Sequence, residues 1–261
     1  MKIRTGTLTQ FKQKGEKFSC LTSYDALTAQ IFDLAGIEVL LVGDSAGNVV
    51  LGYPTTVPVT LDQMMHFGKA VTDATQSALV VVDMPFGSYE VSSEQALESA
   101  IRIMKETGAD AVKLEGARVE AVKRIVDAGI PVMGHLGFTP QSVNQLSGFK
   151  VQGRGDSSEQ LLENARALEE AGAFAIVLEM IPASLAERVT SLVQIPTIGI
   201  GAGAGCDGQI LVWTDFAGLS DRSPKFAKKY LNLREVLSEA ATNFREEVRA
   251  GSFPTEEQSF S

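Results

Sequence analysis

Short runs of apolar, often β-branched residues recur along the chain and predict buried strands. The run VLLVG at 39–43 shows the pattern most clearly, because it is uninterrupted and is followed at once by Asp44 and Ser45. Such a strand is followed by polar side chains, and it places them at the edge of the sheet, where they can bind a ligand or take part in a reaction. The same pattern predicts eight strands in all, at residues 18–22, 39–43, 79–83, 111–115, 132–135, 175–179, 197–200 and 210–213.

Helical patterns separate nearly all of these runs, and four of the helices end at a glycine. The four joints are Ala35-Gly36, Thr107-Gly108, Ala128-Gly129 and Ala171-Gly172. Glycine just past a helix adopts the left-handed conformation that returns the chain into a strand. Strands that alternate with helices favour parallel pairing through right-handed crossovers. The sequence therefore predicts the α/β class and a (β/α)8 TIM barrel. A doubly wound open sheet is the alternative, since the pattern alone does not establish closure.

The chain beyond the last predicted strand has the pattern of a helical extension. From Ser223-Pro224 onward it is rich in Lys, Glu and Arg, with apolar residues at helical spacing. We expect amphipathic helices at about 223–250 that pack on the barrel or on a neighbouring subunit. No linker or shift in composition divides the chain, so residues 1–261 are predicted to form a single barrel domain.

Composition and charge narrow the classes of function. The 261 residues are 44% hydrophobic and 21% charged, as in ordinary soluble proteins. A net charge of −9 argues against nucleic acid or an anionic membrane as a partner, because both need a basic surface. Cys20 and Cys206 cannot build a disulfide framework, and no apolar run reaches the roughly 18 residues that span a bilayer. We expect a cytoplasmic enzyme of small-molecule substrates.

Carboxylates stand at the ends of three successive predicted strands: Asp44, Asp83 and Glu115. In a parallel barrel all strands end on one rim, where active sites lie. Unpartnered carboxylates that face one another there repel, and a hard divalent cation relieves the repulsion. Oxygen ligands alone favour Mg²⁺ over zinc. The alternative is that each carboxylate only caps the helix that follows it.

Further polar side chains fall on the same predicted rim. Lys113 and Glu115 alternate with apolar neighbours and share one face, toward the barrel axis. His135 lies among glycines and is expected to hydrogen-bond a substrate, with a structural role as the alternative. Glu179 follows an apolar run, so partial desolvation suits it to proton transfer; a salt bridge is its other interpretation. The glycine-rich run at 199–205 is either a phosphate cradle or a tight turn.

Six segments carry a resemblance to one family. They are VGDSAGNVVLGYPTTVPVTLDQM, VVDMPFGSY, ADAVKLEGA, IPVMGHLGFTPQSVNQLSGFKVQGR, AFAIVLEMIPA and IPTIGIGAGAGCDGQILVWTD, in this order from about residue 39 to 215. Together they resemble the ketopantoate hydroxymethyltransferase family. The resemblance implies a (β/α)8 barrel that transfers a hydroxymethyl group from 5,10-methylenetetrahydrofolate to 3-methyl-2-oxobutanoate, through an enolate that Mg²⁺ stabilises, giving 2-dehydropantoate. It also implies a homo-oligomer, a decamer in bacterial members.

The resemblance also implies roles for individual residues. Asp44 and Asp83 match the Mg²⁺ ligands, with Glu115 completing the metal site directly or through water. Ser45 and Lys113 match the positions that bind the keto acid, and Glu179 matches the catalytic proton carrier. The substrate-binding set is expected to comprise Asp44, Ser45, Asp83, Lys113 and His135.

Two other functions remain open from the sequence. A Mg²⁺-dependent carbon–carbon lyase or mutase of the phosphoenolpyruvate mutase and isocitrate lyase type shares this predicted fold, but such enzymes rely on a reactive loop cysteine, and neither Cys20 nor Cys206 has that placement. A barrel that only binds metabolites would have lost its rim carboxylates, and this chain keeps them.

Overall fold

The computed structural model describes residues 1–148, 150–155, 157–221 and 223–260. The chain forms two compact units, Met1–Val212 and Trp213–Ser261. In the part of the chain that is described, no helix has both the length and the apolar character needed to cross a membrane. The first unit contains all the residues predicted to carry chemistry.

The first unit is a closed barrel of parallel strands, which confirms the predicted (β/α)8 architecture. Each strand pairs with the next along the chain, and the last pairs with the first, so the sheet has no edge. The strands are β1 Phe18–Thr22, β2 Val39–Val42, β3 Leu79–Asp83, β4 Ala111–Lys113, β5 Val132–Gly137, β6 Ala175–Glu179, β7 Thr197–Ile200 and β8 Gly208–Leu211.

The final strand begins earlier than the apolar pattern predicts. β8 starts at Gly208 rather than Ile210, because Gly208 and Gln209 pair with Phe18 and Ser19 of β1. A Cβ at Gly208 would lie 2.4 Å from the Phe18 ring, so only glycine fits this pairing. Hydrophobicity alone therefore predicts the start of this strand two residues too late.

Helices accompany the strands of this unit, and most of them pack against the sheet. They are α1 Thr5–Lys14, α2 Ala26–Leu34, α3 Ala46–Val49, α4 Leu61–Ala74, α5 Ser93–Thr107, α6 Val119–Asp127, α7 Ser157–Glu170 and α8 Ala183–Leu192. The four glycines predicted to return the chain into strands all have positive φ, between 76° and 94°. Their left-handed conformation confirms the predicted joints.

The first helix, α1, is not predicted by the sequence pattern. It buries only Leu8, so it lacks an apolar stripe. Lys12 instead holds it in place: its ammonium donates to the Thr190 carbonyl at 2.8 Å and to Asp207 Oδ2 at 2.9 Å. Polar contacts between residues far apart in the sequence leave no hydrophobic pattern, so a search for such a pattern does not find this helix.

The second unit contains α9 Trp213–Phe216 and α10 Leu233–Ala250. The predicted helix start near Ser223 is wrong, since residues 223–232 contain turns and no helix. Its backbone bonds elsewhere: the Tyr230 and Leu233 N–H groups donate to the carbonyls of Phe216 and Ala217. No residue of α10 is buried. The single-domain prediction for 1–261 stays a prediction.

Candidate active site

The barrel brings the predicted rim residues to the carboxyl ends of neighbouring strands. Asp44 follows β2, Asp83 ends β3, and Lys113 ends β4. Asp83 pairs directly with Lys113 across β3 and β4. All three side chains are buried, with at most 4% of each residue exposed. The closed parallel sheet therefore concentrates charges that lie far apart in the sequence.

Asp83 is the centre of the first group of contacts. It accepts the backbone N–H of Asp44 on Oδ2 at 3.1 Å, and its Oδ1 accepts from the Lys113 ammonium. Burial acts to lower the pKa of Lys113, but the carboxylates of Asp83, Glu115 and Asp44 outweigh it and raise that pKa. Lys113 is thus an ammonium ion held inside an acidic cluster.

The two aspartates are costly to ionise together in this setting. Burial first, and then the negative charges of Asp83 and Glu115, raise the pKa of Asp44 to about 8. Burial also raises the pKa of Asp83, against the opposing effect of Lys113. Two buried carboxylates repel each other when both are ionised. A divalent cation bound between them offsets that repulsion.

Glu115, His135 and Glu179 form a second group next to the first. His135 Nδ1 lies 3.4 Å from Glu115 Oε1, and Nε2 lies 3.3 Å from Glu179 Oε2. Both contacts are longer or less aligned than a good hydrogen bond. Burial and Lys113 act to lower the pKa of His135, but the two glutamates outweigh them and raise it to about 9. The two glutamates therefore favour the protonated form of the His135 ring.

Glu179 differs from its neighbours in being less enclosed. Its side chain is 16% exposed, whereas that of His135 is 3% exposed. The residue that follows it, Met180, has a φ of 47°, an uncommon conformation for a residue with a side chain. The Met180 N–H and C=O are both bonded, to Ile200 and to Gln152, which holds this turn in place.

Ser45 lies at the start of α3, beside Asp44. Its hydroxyl is 2.8 Å from the hydroxyl of Tyr24, a residue that follows β1. Burial raises the pKa of Tyr24, so the phenol keeps its proton. Of the predicted substrate-contacting residues, Ser45 follows β2, Lys113 ends β4, and His135 lies two residues before the end of β5. All three are therefore near the same rim.

The two groups form one cluster at the rim: Asp44, Asp83 and Lys113 with Glu115, His135 and Glu179. Sequence reasoning missed three residues that are bonded to this cluster or to Ser45 beside it: Tyr24, Tyr89 and Gln141. Gln141 is buried in a 3₁₀ turn, Pro140–Ser142, that follows β5, and its Nε2 donates to Asp44 Oδ2 at 2.9 Å. Tyr89 donates its hydroxyl proton to Gln141 Oε1. All three lie near strand ends, and that position was the signal in the sequence that could have found them. They were missed because they carry no formal charge.

Other residues that the sequence singled out lie away from the cluster. Cys20 is buried within β1 and Cys206 is buried before β8, and burial raises the pKa of both thiols. Gly201 and Gly203 have left-handed backbone, and the Gly203 carbonyl accepts from Gln209 at 2.9 Å. These contacts support the tight-turn interpretation of 199–205.

The donor set decides how a metal ion would be held. Among the described residues, no three His, Cys, Asp or Glu side chains converge as a ready metal site. Glu115 Oε1 lies beside His135, and its Oε2 accepts the Gln141 N–H at 3.0 Å, so both of its carboxylate oxygens have protein partners. Two carboxylates suit Mg²⁺, which keeps several waters and takes one or two protein carboxylates together with substrate oxygens.

Fold and site together define a class: a (β/α)8-barrel enzyme with a cluster of ionisable residues at the carboxyl ends of its strands. Residues 2–256 match the family model of ketopantoate hydroxymethyltransferase, and the chain belongs to that family. The family lies in pantothenate biosynthesis, and the match fits a metal-dependent enzyme with a folate cosubstrate.

Relatives and solved structures agree with this assignment. The chain is 58% identical to the 3-methyl-2-oxobutanoate hydroxymethyltransferase of Leifsonia xyli, over 99% of this chain and 95% of that protein. It is also 58% identical to the enzyme of the same name from Corynebacterium glutamicum, over 99% and 97%. By fold it is similar to 2,3-dimethylmalate lyase, with a TM-score of 0.61 and 16% identity over 100% of this chain and 93% of the other. Phosphoenolpyruvate phosphomutase from Streptomyces platensis gives 0.62 and 13%, over 99% and 92%.

Proposed function

We propose that the chain transfers a hydroxymethyl group from 5,10-methylenetetrahydrofolate to 3-methyl-2-oxobutanoate, giving 2-dehydropantoate. The observation that carries the proposal is the juxtaposition of Asp44, Asp83 and Lys113 with the row formed by Glu115, His135 and Glu179. One half of this cluster can hold an α-keto acid, and the other half can accept and move a proton. Relatives over nearly the whole chain carry the name of this activity.

The proposed metal is one Mg²⁺ per subunit. Asp44 and Asp83 would hold it, with Glu115 reaching it through water. When bound, it neutralises the two carboxylates and stabilises negative charge on the keto oxygen of the substrate. The raised pKa of Asp44, caused by burial and nearby carboxylates, supports a cation at this position.

The remaining residues bind the substrate and hold its charge. Lys113 is a buried ammonium and Ser45 is a hydroxyl at the start of a helix, and both suit the carboxylate of the keto acid. The protonated ring of His135 is expected to donate to the substrate. These donors are fixed before the substrate arrives, so they need little reorganisation as charge develops.

Glu179 is the proposed base. Its carboxylate takes the proton from C3 of the keto acid, and the electron pair moves into the enolate. Water cleaves the two C–N bonds of the methylene bridge, which leaves tetrahydrofolate with N–H at N5 and N10 and the carbon at the oxidation level of formaldehyde. The enolate carbon adds to that carbon, and the resulting alkoxide takes up the proton held by Glu179. Contact with His135 gives Glu179 a fixed orientation beside the other residues of the cluster.

We extend the proposal to the assembly and its location. Leu237 and Phe244 of α10 are 51% and 54% exposed within one chain, which supports a subunit interface on this helix and a homo-oligomer, in number a decamer. The barrel domain and its helical extension are proposed to act as one domain in that assembly. The two free, buried cysteines support a cytoplasmic location.

The lyase or mutase alternative has less support. The likeness to 2,3-dimethylmalate lyase concerns the fold alone, at 16% identity. Cys20 and Cys206 are both buried, Cys20 inside the first strand. Neither thiol offers the exposed nucleophile or acid that such chemistry uses.

The direct test is product formation. Purified protein is mixed with 3-methyl-2-oxobutanoate, 5,10-methylenetetrahydrofolate and Mg²⁺, and 2-dehydropantoate is followed by mass spectrometry. The proposal expects product that depends on all three components and disappears with excess chelator. Cleavage of the keto acid without use of the folate would support the lyase alternative instead.

A further inference from the structure

Gln141 has a hydrogen-bond partner for every polar atom of its side chain. Its Nε2 donates to Asp44 Oδ2 at 2.9 Å and to the Met84 carbonyl at 3.0 Å, and its Oε1 accepts from Tyr89. Its backbone N–H donates to Glu115 Oε2 at 3.0 Å. One uncharged residue therefore contacts two carboxylates of the cluster, Asp44 and Glu115.

Tyr89 fixes which way the Gln141 amide faces. The Tyr89 hydroxyl accepts the backbone N–H of Glu115 at 3.2 Å, so its own proton is free to go to Gln141. Gln141 Oε1 must then be the acceptor, and its NH₂ group is left to face Asp44 and the Met84 carbonyl.

We propose that Gln141 is a positioning residue that holds Asp44 Oδ2 and so leaves Oδ1 toward the metal, and that Tyr89 acts through Gln141 by fixing the orientation of its amide. The inference rests on the proposed function, because it takes Asp44 to be a metal ligand. Groups that orient a ligand commonly change metal affinity about 10-fold to 100-fold when they are removed.

A purely structural role makes a different prediction. If Gln141 only fills space and satisfies buried polar groups, its loss lowers the melting temperature and leaves metal affinity unchanged in the protein that stays folded. If it positions Asp44, metal affinity falls at temperatures well below melting. The two readouts therefore separate the roles.

The experiment measures binding of Mn²⁺, as a probe for Mg²⁺, to the full chain by titration calorimetry and electron paramagnetic resonance, without substrates. The variants are Gln141→Met, Tyr89→Phe and the double variant. Gln160→Met and Tyr230→Phe are matched controls, because both residues are exposed and lie outside the cluster. Circular dichroism gives the melting temperature of each.

The expected result is a loss of Mn²⁺ affinity of about 10-fold or more in Gln141→Met and a smaller loss in Tyr89→Phe. The double variant should bind like Gln141→Met, since Tyr89 has no effect once the amide is gone. Wild-type affinity in both single variants, or losses that multiply in the double variant, would overturn the inference. If Gln141→Met does not fold, Tyr89→Phe alone decides: reduced affinity supports the inference and unchanged affinity overturns it.

A failure of the inference is distinguishable from a failure of the proposed function. If the wild-type chain binds no Mn²⁺ and forms no product, the proposed function fails and this inference fails with it. If the wild type binds Mn²⁺ and forms product while both variants match it, only the inference fails.

Discussion

His135 Nε2 lies 3.3 Å from Glu179 Oε2, on the opposite side of the ring from Glu115. The His135 ring lies between the two carboxylates and contacts both of them. Of the two, Glu179 is the more exposed, at 16% of its side chain against 3% for Glu115. This difference in exposure supports the proposed role of Glu179 as the base that meets the substrate.

Glu179→Gln should slow proton removal while leaving binding intact. The amide fills the same volume but cannot accept the C3 proton, so exchange of that proton should fall about 10²-fold to 10⁴-fold. NMR of the keto acid in D₂O gives the rate, and calorimetry gives Mn²⁺ affinity. Glu170→Gln, on the exposed surface of α7, is the control and should exchange like wild type. Equal exchange rates in both variants would remove Glu179 from its role.

Asp83→Asn should destabilise the protein and weaken both metal and keto acid binding. Removal of one partner leaves the Lys113 ammonium buried without its ion pair, which typically costs about 3–5 kcal/mol. Urea denaturation measures the change in the free energy of unfolding. The exposed pair of Lys69 and Asp73 on α4 provides the control, and Asp73→Asn should change stability very little. Equal stability of the two variants would show that the buried pair contributes nothing.

Asp33 predicts a pH-dependent contribution to stability outside the site. Its carboxylate accepts the N–H groups of Gln76, Ser77 and Ala78, between α4 and β3. Burial acts to raise its pKa, but these three donors, with Lys2, outweigh burial and lower it. The contribution is present above the unfolded-state pKa of about 3.9 and is lost as pH falls through the folded-state pKa.

Asp33→Asn should therefore lower the melting temperature at pH 7, and the difference from wild type should shrink below about pH 4. Because the side chain is partly exposed, we expect a loss of only about 1 kcal/mol. Asp25→Asn is the control: Asp25 caps α2, and asparagine caps helices about as well. A loss that is constant from pH 3 to pH 7 would rule out the ionised form of Asp33 as its source.

Leu237 and Phe244 form an exposed apolar stripe on α10, and we predict that this stripe is the interface of the proposed homo-oligomer. Leu237→Glu and Phe244→Glu place charges on that stripe and should reduce the oligomer to smaller species, measured by light scattering after size exclusion. Ser238→Glu adds the same charge at an adjacent exposed position and should leave the assembly unchanged. An oligomer of wild-type size in both stripe variants would move the interface elsewhere.

Most strands were predictable because a parallel sheet is buried on both faces, so strands such as β2 and β3 are mainly apolar runs. The polar residues at the strand ends were predictable for a different reason. In a closed parallel barrel all strands end on one rim, so Asp44, Asp83, Lys113 and Glu179 had to lie there together. The sequence groups Glu115 with the two aspartates by charge, and its charge does act on both of them. Its contact with His135 was not predictable, because that contact depends on side-chain orientation.

The supporting residues were not predictable in this way. Gln141 lies 97 positions from Asp44 and 57 positions from Met84 in the sequence, and its role follows only from their proximity in space. The helix α1 was missed because Lys12, rather than an apolar stripe, ties it to the barrel. In both cases the decisive interaction is polar and long-range.

Exchange of the C3 proton of 3-methyl-2-oxobutanoate tests the central claim most directly, because it reports the enolate step without the folate. The wild-type chain is incubated with the keto acid in D₂O with Mg²⁺, and deuterium at C3 is followed by NMR. The account predicts exchange that requires Mg²⁺ and falls at least 100-fold in Glu179→Gln. Folded, metal-loaded wild-type protein that leaves C3 unlabelled would contradict it.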